Sequence, residues 1–136
     1  MAQCSSGHPS PRRLRSLPLA NVAGRAYPVA ATLRSRLLGL AFLDRERANP
    51  GLLIPRCRSV HTFGMRFGLD VIFLAEDWTV IEAVLAVPPR RLVVRPGAAA
   101  VLEVPAAAAG CSSSQNPLLA SKAGCLPRRC YDLTQQ

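Results

Sequence analysis

Cys57, Arg58, His61, Phe63, Met65, Arg66 and Asp70 all fall within the stretch RCRSVHTFGMRFGLD, residues 56–70. Cys57 stands between Arg56 and Arg58, whose charges favour a thiolate, and His61 four residues on could serve as its base. In an extended chain, residues four apart lie roughly 13 Å from one another, far beyond the ~3 Å of a proton transfer. Such a pair therefore needs a sharp bend at Arg58 and Ser59, and Cys57 is otherwise a small apolar filler. His61, Phe63 and Met65 share one side of an extended segment, with Thr62 and Gly64 on the other. A histidine so placed is either a core residue satisfied by one backbone bond or a ligand contact. Arg66 and Asp70 bracket Phe67 to Leu69, where they could pair across a bend or bind an anion, the carboxylate orienting the guanidinium. Cys57, His61 and Asp70 lack any regular metal-ligand spacing, so neither a metal nor another cofactor is expected. Glu82 interrupts an apolar run, and strand alternation sends it to solvent.

These groups need a body to position them, and 136 residues make one domain with one core. A helix is expected near residues 32–40, where Thr32 caps TLRSRLLGLAF and Leu33, Leu37 and Leu40 recur at helical spacing. Elsewhere the apolar pieces are short and punctuated: Leu14 to Leu19, Tyr27 to Ala30, GLLIP, Leu69 to Ala75, Thr79 to Val87, and two more split by Pro96 and Gly97. Leu69 to Val87 reads as an antiparallel hairpin turning at Glu76, Asp77 and Trp78. Roughly seven strands to one helix predict a mainly β, antiparallel sandwich. Residues 1–13 read as a disordered arm, residues 14–107 as the folded domain and residues 108–136 as an irregular tail.

The formal charge of +9 raises the question of a polyanionic partner. Aromatics are few and scattered, so base-stacking platforms are missing, and nucleic acid is not the expected partner. The front of the chain still carries Arg12, Arg13, Arg15, Arg25, Arg34 and Arg36 with no acid before Asp44, enough to touch a phosphate or an acidic surface. Five cysteines, four of them in the terminal stretches and none in a two-residue spacing, point to a reducing compartment. SLPLANVAG is broken by Pro18, Asn21 and Gly24 before it could insert as a signal core, and no run reaches bilayer length. A cytoplasmic protein without a membrane span is expected.

The run RCRSVHTFGMRFGLDVIFLAEDWTVI, with GLLIP before it and AAVLEVPA after it, resembles the bacterial and archaeal family known as domain of unknown function 192. VAATLRSRLLGL is similar to that family's opening helix, matched at Thr32, Arg36 and Gly39, and the likeness spans about residues 17–107. The resemblance implies a compact jelly-roll-like β-sandwich with one packed helix. Three positions depart from the family's pattern: Ala31 replaces an acid, Gly68 a proline, and Asp77-Trp78 an Asp-Gly turn, which predicts a longer turn here. The family's closing helical turn and last strand have no visible counterpart after Pro105.

Clustering of the polar groups in one segment is the argument for a site. The expectation is a small-molecule, carbohydrate or anion binding module with its ligand unassigned, using Arg58, His61, Phe63, Met65, Arg66 and Asp70 in a hollow of the sandwich. The alternatives are an enzyme in which Cys57 or His61 does nucleophilic or acid-base work, and a structural or interaction protein.

Overall fold

The structure, a computed structural model, describes residues 11–106 and the backbone of residues 128–130. Mainly β, it has antiparallel sheets and a few short helices. The central sheet has five strands, in the order β3 (Leu52–Pro55), β8 (Ala100–Pro105), β5 (Leu69–Leu74), β6 (Val80–Val87) and β9 (Arg128–Cys130), antiparallel except for the last pair. Two ribbons flank it: β1 (Leu19–Val22) with β2 (Arg25–Pro28), and β4 (Ser59–His61) with β7 (Leu92–Val94). No helix among the described residues is long and apolar enough to cross a membrane.

Both faces of the central sheet are buried, which is why its strands are apolar almost throughout. Ile72, Leu74, Leu53 and Leu102 point to one face and pack with Val22 and Tyr27 of the first ribbon. Val71, Phe73, Leu52, Ile54 and Val101 point to the other, under Leu40, Val60 and Met65. Glu82 belongs to this second face, opposite Phe73 on β5. It is buried rather than turned to solvent, and Arg95 stands 3.3 Å from it in an ion pair without hydrogen-bond geometry. Alternation misplaces Glu82 because it assumes one wet face, and this sheet has none.

Several local expectations are corrected. Leu14 lies not on a strand but in α1 (Arg12–Arg15), a single turn that buries Leu14 and lets Arg13 donate to the carbonyls of Gly39 and Ala41. The arm drawn to residue 13 thus overlaps a helix, while residues 1–10 lie outside the described ones. The helix behind Thr32 is α2 (Leu33–Leu38), opened by reciprocal Thr32 and Ser35 hydrogen bonds, and a third helical turn, α3 (Arg45–Ala48), follows it. The Leu33 and Leu37 stripe does not enter the core: these side chains are 74% and 59% exposed, and only Leu40 beyond the helix is buried.

The β5–β6 turn has three residues, Glu76 to Trp78, closed by Trp78 N–H donating to Ala75 and Ala75 N–H donating to Thr79. Trp78 takes the left-handed position at φ 67° that glycine usually fills. Within the stretch expected to be an irregular tail, β9 runs parallel to β6 with Val84 opposite Arg129, so the sheet does gain a last strand.

Candidate functional site

The second face of the central sheet is not sealed everywhere. Between α2 and the segment Cys57 to Met65 lies a hollow of about 360 Å³, walled by Leu37, Ile54, Val60, His61, Phe63 and Met65, with Glu103 also reaching it. Arg36, Leu33, Cys57 and Ser59 reach the same space.

Register puts Glu103 there. On β8 it stands opposite Val71 of β5 and Leu52 of β3, so its side chain projects to the face that carries those two residues. It is 5% exposed, and among the described residues no hydrogen bond or ion pair reaches its carboxyl. Burial alone pushes it up to about 8. Burial thus favours the protonated carboxylic acid, a hydrogen-bond donor as well as an acceptor. Glycines make room for this strand. A side chain at Gly51 would meet the Glu103 carbonyl oxygen at 2.3 Å, so β3 can approach β8 there only with glycine. Gly39, at φ 44° just after α2, would carry its Cβ 3.4 Å from Glu103 Oε2, and its absence leaves the carboxyl open toward the hollow.

The six ligand-contact residues expected from the sequence separate into three groups. His61, Phe63 and Met65 come together at the hollow: Met65 is buried, Phe63 is 56% exposed, and the His61 and Phe63 rings lie 5.9 Å apart and tilted. His61 is exposed, not a core histidine, because β4 turns Val60 inward and Ser59 and His61 outward. Arg58 lines an adjoining hollow of about 650 Å³ instead.

Arg66 and Asp70 reach neither space and do not pair with each other. Arg66 donates to Asp44 at 3.1 Å on the surface. Asp70 Oδ1 accepts at 2.8 Å from the N–H of Ala86, where the β5–β6 register shifts and Ala86 sits at φ 54°. Burial raises the Asp70 carboxyl, opposed by that N–H and by Arg45. Its visible role is to satisfy a backbone donor that the bulge leaves without a ladder partner.

Cys57 is half-buried against the core, and its thiol donates to the Ser59 carbonyl at 2.9 Å. Among the described residues no three His, Cys, Asp or Glu side chains are grouped to hold a metal ion. Sequence reasoning missed Glu103. The available signal was an acid inside AAVLEVPA, whose strand is covered on both faces.

Residues 21–113 match the model of the family DUF192, described as Uncharacterized ACR. No curated protein matches the chain. Two solved structures share its fold. One is a protein of unknown function from Novosphingobium aromaticivorans DSM 12444, 22% identical, with a TM-score of 0.50 over 65% of this chain and 70% of that one. The other is described as a putative transcription regulator from Sinorhizobium meliloti 1021, 23% identical, with a TM-score of 0.52 over 65% of this chain and 77% of that one. At these identities the likeness is one of fold.

Proposed function

The chain belongs to the DUF192 family, and on that premise we propose that it is a small-molecule binding module whose site is the hollow over Glu103. The observation that carries this reading is the buried carboxyl with no partner among the described residues, open to a 360 Å³ space. A core acid with no ligand to serve is a standing desolvation penalty, and an apolar residue would pack in its place. A ligand oxygen seated on the carboxyl removes that penalty, which makes Glu103 the buried polar fixing of a mainly apolar pocket. His61, Phe63 and Met65 supply the wall, and Arg58 stands at its approach. A jelly-roll-like sandwich is the architecture this reading supposes, supported by the two apolar clusters on opposite faces of the central sheet.

Thermal-shift measurements across sugars, small anions and apolar carboxylic acids test it, using the full chain and Glu103→Leu with its fold verified by circular dichroism. At least one class should raise the melting temperature of the parent and leave the variant unmoved. A panel that shifts neither protein, or both equally, overturns the proposal.

A further inference from the structure

The hollow over Glu103 does not end at its own walls. Arg36, Cys57 and Ser59 also line the larger neighbouring hollow, so the two spaces adjoin. Their chemistries differ. Over Glu103 the walls are mainly hydrocarbon, His61 apart, with the exposed side chains of Leu33, Leu37 and Phe63 extending the apolar surface to the rim. Among the described residues the neighbour is lined by Arg36, Arg56 and Arg58, with Glu76 as its one acid and Trp78 beside them. Arg36 sits at the junction, its guanidinium donating at 2.8 Å to the carbonyl of Arg56, whose φ of 52° marks a sharp bend. Among the described residues none of these three arginines is paired with a carboxylate. Unpaired guanidiniums held at the mouth of an apolar cleft select an anionic head group attached to an apolar body.

Resting on the binding reading above, we propose that the joined hollows take an anionic amphiphile with an uncharged carbonyl between head and tail. The tail lies against Leu37, Phe63 and Met65, the carbonyl accepts a hydrogen bond from the Glu103 carboxyl, and the anion meets the cluster of Arg36, Arg56 and Arg58. N-acylated amino acids have this order of groups.

Calorimetric titration of the full chain with N-acylglycines, butanoyl to octanoyl, below their aggregation concentrations provides the test. Affinity should rise about threefold to fourfold for each methylene buried, and the uncharged N-acylglycinamides should bind about tenfold more weakly. The exposed pair Arg56→Gln and Arg58→Gln should shrink that preference for the carboxylate, whereas Glu103→Leu should weaken both series alike. Equal affinity for the glycine and glycinamide forms, or indifference to chain length, overturns the amphiphile. If a sugar or small anion instead binds in a Glu103-dependent way while no acylglycine does, the pocket stands and the amphiphile falls. If nothing binds, both fall.

Discussion

Glu103 is flanked along its own face by Val101 and Pro105 and across the sheet by Val71 and Leu52, so its protonation state bears on stability as well as on binding. The unfolded chain releases this proton near the ordinary glutamate value, whereas the folded chain keeps it until about 8. Between those two values the native state binds more protons than the unfolded one, so stability falls as pH rises. The slope from this one group is on the order of 1 kcal/mol per pH unit. Below the window both states are protonated and the contribution vanishes; above it the penalty is complete. Glu103→Gln should flatten the profile and give a relative gain at alkaline pH. Urea denaturation at about pH 5 and about pH 8 checks it, and an unchanged slope in the variant would mean that the carboxyl is hydrated in the native state. His61 and Asp70 show the limits of reading single residues. Both are conspicuous in the sequence, yet one is an exposed wall residue and the other satisfies a bulge N–H.

At the scale of elements, the β5–β6 turn carries a conflict between residue and conformation. Trp78 holds φ 67°, a region in which a Cβ is disfavoured by about 1–2 kcal/mol and in which glycine is at ease. Trp78→Gly should therefore stabilise the hairpin by about 1 kcal/mol, reduced by the apolar contact that the half-exposed indole makes. Circular dichroism is the appropriate readout, because the chain has no other tryptophan to report by fluorescence. A loss of stability would show that indole packing outweighs backbone strain. The hairpin itself, the helix behind Thr32 and the pair of strands around Pro96 were legible, because each depends on local chemistry: a cap, a turn, a proline. Faces were not legible. Leu33 and Leu37 have the spacing of a core stripe but line an open hollow, and Glu82, which alternation sends to solvent, is buried, as is Glu103, whose spacing carries no sign of it. Spacing fixes which residues share a face, and only the tertiary arrangement decides what that face meets.

At the scale of the whole molecule, the central sheet must protect two edges. Beyond β3, the bridge between Val29 and Leu53, with Ala30 N–H donating to the Leu53 carbonyl, occupies part of the first. The second belongs to β6, whose residues Ala83 to Leu85 are met by Arg128 to Cys130 of β9. β6 is apolar over most of its length, and an exposed edge of that composition is a template for another chain. A chain ending at Pro127 should therefore keep its core, which the β5–β6, β5–β8 and β3–β8 pairings supply, but expose β6 and self-associate. Light scattering across a concentration series should show dimers or larger species for the truncated chain and not for the full one. Equal behaviour of the two chains would mean that β6 is guarded by its own twist and bulge. In that event the closing strand would be dispensable to solubility, and the sheet would be complete in its first four strands.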